Sequence, residues 1–172
     1  AKARHSMEVN EYLMATCPKY DAYPAWFEYF NKDQAFFDDA YTNGKLIVDM
    51  KNTYVNSIIS CGACRQINGN TVFVCNSPIL VSDVGNAACE KMSDNAIVSS
   101  VTSAQALSTY LCDYAMIWRY DEKSKKYCVS LRSRKGGKDV QEIAKKYGGG
   151  GHINAAGFET TTMQFLELPN GS

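Results

Sequence analysis

The residues best suited to chemistry cluster near the C-terminus, where Tyr147 is followed by Gly148, Gly149, Gly150, Gly151 and His152. One glycine is enough to stop a helix in the left-handed conformation. Each further glycine costs roughly 0.5–1 kcal/mol relative to alanine in regular structure, through lost chain entropy. One use that offsets this cost is close approach of the backbone to a ligand, with successive amides turned inward as an anion nest. His152 adds a ring donor, and a charge-assisted contact from a protonated imidazole to phosphate contributes about 1.5–3 kcal/mol. The bland alternative is a flexible surface loop with an incidental histidine. About twenty residues earlier, Ser130-Leu131-Arg132-Ser133 closes a strand-like run. A strand end beside a glycine loop is where α/β sheets bind ligands, and the planar fork of Arg132 suits phosphate. A single arginine at a strand end, taken alone, reads as a solvated residue.

Charge distribution adds to this. The chain carries 18 basic and 18 acidic residues, so its formal net charge is zero. Residues 118–152 hold ten basic and four acidic side chains, a net +6, and the remainder is −6. Positive charge gathered around a glycine run attracts anions. Lys123, Lys125 and Lys126 are discounted as a solubilising hairpin tip.

The elements that must position these groups read as follows. In the aromatic-rich segment 7–42, Trp26, Phe30, Phe37 and Tyr41 follow helical spacing and predict one or two amphipathic helices, broken near Pro18 and Pro24. So much aromatic surface near a chain end suggests a face that packs on something else. Asn43-Gly44 predicts a turn, and residues 45–60 a helix ending near Gly62. Residues 71–75 read as a buried strand, 82–92 as a helix, and 104–111 as a helix capped from within Ser99–Ser103. Strands over 114–120 and 127–133 flank the polar turn 121–126 as a hairpin. After a loop at 134–138, Asp139-Val140-Gln141-Glu142 is a capping box, with Glu142 reaching back. Val140, Ile143, Ala144 and Tyr147 form one apolar face, Gly148 ends that helix, and residues 155–160 re-enter the sheet.

Composition excludes several classes. At 172 residues, 45% hydrophobic and 21% charged, the chain suits a folded domain with or without an appendage, not a disordered one. No window approaches the ~18 apolar residues of a membrane span, and no signal-peptide pattern opens it. Seven cysteines, an odd number, point to a reducing, cytoplasmic compartment with most thiols acting as small core residues. Cys61-Gly62-Ala63-Cys64 is a lone C-x-x-C without a second pair for zinc. There are two histidines, and His5 lies in residues 1–6 ahead of Met7, which read as an appended remnant. One remaining histidine cannot build a site of several imidazoles around two metal ions.

Ser-Leu-Arg132-Ser, the Val140-x-x-Ile-Ala-x-x-Tyr-Gly helix and Gly-Gly-Gly-His152-x-x-Ala-Ala-Gly-Phe158 together resemble the DHHA1 domain, the C-terminal substrate-binding domain of the DHH phosphoesterases. The match is specific over 129–160 and looser over 68–128. The resemblance implies an α/β fold: a mixed β-sheet packed with helices, preceded by an aromatic-rich helical segment. Residues 1–62 are expected as a helical linker or inter-domain segment and 63–172 as the substrate-binding domain. It implies that Gly149, Gly150, Gly151 and His152 hold a phosphate or terminal nucleotide, that backbone at Ala155 and Ala156 lines the same pocket, and that Arg132, with Ser133 beside it, grips phosphate or base.

Family catalysis rests on an N-terminal domain whose Asp-His-His and further ligands bind two Mn²⁺ ions. Asp-His-His occurs nowhere here. The chain is therefore expected to hold no metal and no catalytic residue, to be inactive alone, and to derive from a metal-dependent phosphodiesterase or exonuclease. The expected partners are a phosphorylated small molecule or short single-stranded nucleic acid and that catalytic domain, with no membrane. Two alternatives are a stand-alone, non-catalytic nucleotide or nucleic-acid binding module, and a structural domain whose glycine loop merely turns a corner.

Overall fold

The computed structural model describes residues 6–16, 33–91 and 112–166. Trp26, Phe30, the breaks at Pro18 and Pro24 and the helix expected over 104–111 lie outside the described residues. The chain divides into two compact units, residues 1–54 and 55–172.

In the first unit, helix α1 (Ser6–Thr16) meets the N-terminal part of helix α2 (Gln34–Ser60). The turn expected at Asn43-Gly44 is not formed, because α2 runs straight through it. Packing is the reason: a Cβ at Gly44 would collide with the Glu8 carbonyl of α1, so a residue without a side chain lets two backbones touch. Asn43 Nδ2 donates to the Asp39 carbonyl at 3.0 Å, one helical turn back. Lys51 pairs with Glu11 at 2.9 Å, and the Tyr12 and Phe36 rings meet edge-on at 6.5 Å. Leu46, Met50 and Tyr54 form an exposed apolar stripe at i, i+4 and i+8.

The second unit is built on one six-stranded mixed sheet, ordered β1-β2-β3-β4-β6-β5. Its strands are β1 (Ala63–Ile67), β2 (Asn70–Asn76), β3 (Tyr114–Asp121), β4 (Lys126–Arg132), β5 (Gly150–His152) and β6 (Ala155–Thr160). Only β2 and β3 are parallel, and helix α3 (Val81–Lys91) lies on the path between them. β1, which the residue pattern does not announce, pairs with β2 through Asn68 and Gly69, both at positive φ (50° and 73°). That is the geometry of a two-residue type I′ hairpin.

Residues alternate between faces along a strand, and directly opposed residues share a face. One face buries Phe73, Cys75, Ala115 and Ile117 beneath Val84 and Ala88 of α3, with Val55 from the end of α2. The other buries Val72, Val74, Tyr114, Met116, Val129, Leu131, Ala156 and Phe158 beneath Val140 and Ala144 of helix α4 (Val140–Lys146) and Phe165. α4 starts on the Asp139 cap, whose carboxylate accepts from the Gln141 and Glu142 amides. Glu142 does not reach back in the expected manner: its carboxylate pairs with Lys145 at 2.8 Å. α4 stops at Gly148 (φ +76°), with Gly148 N donating to Lys145 O and Gly149 N to Ala144 O, a Schellman closure.

Candidate functional site

Two cross-strand rows define the site. Arg132 on β4 opposes Ala155 on β6, which opposes His152 on β5; one step along, Ser130 opposes Gly157, which opposes Gly150. By pairing, both rows project from the face that α3 covers over β3 and β4. On β6 that face is half-open at Ala155 and Gly157, while Ala156 and Phe158 on the opposite face are buried. The result is a shallow floor of Ala155, Gly157 and Gly150, carrying nothing larger than a methyl group, with Arg132 on one side and His152 on the other. Strand spacing separates the Arg132 and His152 backbones by roughly 10 Å.

The glycine run has several jobs. It is not the loop expected from its composition, since residues 150–152 form edge strand β5. Gly148 is the left-handed cap. A Cβ at Gly149 would collide with the Gly157 carbonyl and Phe158, and one at Gly151 (φ +139°) would meet Ala156 and the Ala155 carbonyl. Gly148 is therefore required by its left-handed backbone conformation, and Gly149 and Gly151 by the protein's own packing. Gly150 has nothing within 4 Å of where a Cβ would sit, so its bareness faces open space. Gln141 Nε2 donates to the Gly151 carbonyl and braces the strand from α4.

A tight turn at Ile153-Asn154 returns β5 to β6. Val140 N donates to Ile153 O at 2.9 Å, and Ser133 N to Asn154 O at 3.1 Å. Asn154 Nδ2 donates to Ser133 Oγ at 2.8 Å and to Arg134 O at 2.7 Å. Ser133, 8% exposed, thus pins the turn that carries His152. Of the eight residues singled out from sequence, Arg132, Gly150, His152 and Ala155 meet on the half-open face. Ser133, Gly149, Gly151 and Ala156 lie within or behind the structure that shapes it.

Arg132 is held at a set angle. Its Nη1 donates to Ser130 Oγ at 3.0 Å and Leu131 O at 2.9 Å, and its Nη2 to Ser82 Oγ at 2.8 Å. Its stem crosses Gly85 of α3, where a Cβ would lie 2.7 Å from Arg132 Cγ. Ser82, Gly85, Ser130 and Asn154 are positioning residues beyond the eight site candidates, although Ser130 belongs to the Ser-Leu-Arg-Ser motif. Asn154, between the glycine run and Ala155, carries a turn signal; Ser82 carries only a helix-start signal and Gly85 none. No described carboxylate pairs with Arg132, and Nε and one Nη2 hydrogen remain for another acceptor. His152 is exposed and has no described partner. An oriented guanidinium and a free imidazole across a bare floor can bind an anion.

Other chemistry finds less support among the described residues. No group of three or more His, Cys, Asp or Glu side chains is placed to hold a metal ion. The Cys64 thiol of the C-x-x-C is pushed up to about 11 by burial, with Cys112 nearby adding to it. A redox or ligating thiol needs the opposite shift. No described helix is long and apolar enough to cross a membrane.

With this geometry in hand, comparison with known proteins gives one family and a set of similar solved structures, two of which follow. The family model described as "DHHA1 domain" matches residues 76–168. A pGpG-specific phosphodiesterase, PggH from Vibrio cholerae, is similar at 14% identity and a TM-score of 0.42 over 73% of this chain and 38% of that one. An uncharacterized protein from Helicobacter pylori G27 is similar at 19% identity and a TM-score of 0.35 over 76% of this chain and 28% of that one. The chain thus spans well under half the length of either structure. No curated protein matches it.

Proposed function

The chain belongs to the DHHA1 domain family, and from that premise we propose that it is the substrate-binding domain of a DHH-type phosphoesterase. It holds the phosphate or terminal nucleotide of a short oligonucleotide, a cyclic-dinucleotide product or a related phosphoester. The observation that supports this most is the row Arg132–Ala155–His152 beside Gly157 and Gly150 on a half-open sheet face.

Each residue then has a role. Arg132, fixed by Ser82 and Ser130, directs its free N–H groups at phosphate oxygens. His152 adds a ring donor from across the floor. Gly150 lets the ligand lie against the backbone, and Ala155 and Gly157, the latter bare because a Cβ would meet the Val129 carbonyl, carry the floor beside it. Bond cleavage belongs to a separate N-terminal domain holding two Mn²⁺ ions, which supply water activation when bound. This chain has one histidine among its described residues and contributes position, not hydrolysis.

Calorimetric titration of the purified chain with adenosine 5′-monophosphate tests the reading. Binding should weaken as salt rises, and His152→Ala or Arg132→Ala should each weaken it about tenfold or more, in line with loss of a charge-assisted contact. Hydrolysis of a dinucleotide by this chain alone in Mn²⁺, or binding indifferent to both substitutions, would overturn it.

A further inference from the structure

A cavity beside the floor has no role in the reading above. It is a half-open hollow of about 300 Å³ lined by Val81, Ile117, Arg119, Cys128, Val129 and Ser130, a size at the lower end for small-ligand pockets. Register explains its place. Arg119 opposes Cys128 and Ile117 opposes Ser130, so these side chains share the face that carries Arg132 and His152. Ser130 belongs to both regions, since its hydroxyl also accepts from Arg132.

Arg119 is the informative residue. It is half-buried, yet it makes no hydrogen bond or ion pair with any described residue. The carboxylates nearest in register are engaged elsewhere. Asp121 accepts from Ser124 Oγ at 2.6 Å, and this hydroxyl, more than the charge of Arg119, holds its carboxyl below the ordinary range. Glu159, opposite Cys128, pairs with Lys126 at 3.0 Å. A guanidinium among apolar walls with its donors uncommitted needs a partner. A flat ring with acceptors on its edge supplies one, by stacking on the guanidinium plane or by accepting from its fork.

We infer that this cavity is a nucleobase subsite: a nucleotide whose phosphate lies at Arg132, Gly150 and His152 places its base against Val81 and Cys128, where Arg119 meets it. The inference rests on the phosphate reading above. Cys128 and Arg132 lie four steps apart on β4, about 13 Å of strand, a gap that one nucleotide plus two arginine side chains fills.

The test compares a ligand that has a base with one that lacks it. The purified chain is titrated with adenosine 5′-monophosphate, guanosine 5′-monophosphate and ribose 5-phosphate. The unaltered chain should bind at least one nucleotide ten times more tightly than ribose 5-phosphate. Arg119→Ala should erase that advantage while changing ribose 5-phosphate binding less than twofold, and His152→Ala should weaken all three alike. Should Arg119→Ala fail to fold, Arg119→Lys carries the test, because it keeps the charge, loses the planar fork and should also lose the advantage. If nucleotides bind no better than ribose 5-phosphate and His152→Ala still weakens both, the base subsite is wrong and the phosphate site stands. Equal losses for all three probes in the Arg119 variants would also overturn the subsite. If the unaltered chain binds none of the probes, both readings fall.

Discussion

Along β2, Val72, Phe73, Val74 and Cys75 are buried in succession, whereas along β4 burial alternates: Val129 and Leu131 are buried, and Cys128, Ser130 and Arg132 are half-exposed. β3 repeats the first pattern through Tyr114–Ile117, and β6 the second. The sheet is continuous, so the contrast comes from what lies on it. Strands covered on both faces must be apolar throughout. Strands with one open face can carry glycine, serine and arginine at alternate positions while the other face holds the core. The half-open part is therefore where binding groups can sit without a large cost to folding.

Substitutions on the two faces should behave differently. The largest effect belongs to the closed side of β4: Leu131→Ala, at a position 0% exposed, should cost about 2–5 kcal/mol in denaturant unfolding. Ser130→Ala, its neighbour on the open face, should cost far less, and an equal loss would erase the distinction. Next is a pH effect in the doubly covered strands. Tyr114 is buried, and loss of solvent pushes its phenol up to about 12 from 10.0. Because the folded value is the higher one, its contribution is complete below pH 10 and is lost as pH rises toward 12, by on the order of 2–3 kcal/mol. Tyr114→Phe should flatten that part of a stability–pH curve.

The glycine run gives the third comparison. Gly149→Ala places a methyl against Gly157 and Phe158 and should cost roughly 1–3 kcal/mol through overpacking. Gly150→Ala meets open space and should shift stability by less than about 0.5 kcal/mol, yet weaken adenosine 5′-monophosphate binding by raising the floor. Thermal unfolding and titration of both variants separate the glycine that serves the fold from the one assigned to a ligand. The smallest change is Asp139→Ala, which removes the α4 cap and should cost about 1 kcal/mol with little effect on the open face.

Much of this arrangement was legible in the residues. The β3–β4 hairpin, the Asp139 cap and the Gly148 stop each rest on local chemistry: alternating β-formers around a polar turn, a carboxylate two and three residues before free amides, and a residue that tolerates positive φ. Other features depend on contacts that no local pattern encodes. Gly44 looks like a turn because its collision partner, Glu8, is 36 positions away. β5 is Gly-Gly-His, which has no side-chain alternation to reveal a strand. β1 reads Ala-Cys-Arg-Gln-Ile and is disclosed only by the Asn68-Gly69 turn after it. Arg132 was legible as a candidate, but Ser82, fifty residues upstream, fixes its angle. Among the eight residues named from sequence, the division between face and scaffold came from register, which composition does not carry.

The most direct measurement is a map of backbone amide chemical shifts as adenosine 5′-monophosphate is added to the purified chain. The largest changes should fall on Arg132, Gly150, His152 and Ala155, while Leu131, Val140 and Ala156 on the closed side change little. Shifts centred on the α4 side, or an unchanged spectrum at saturating nucleotide, would contradict this assignment.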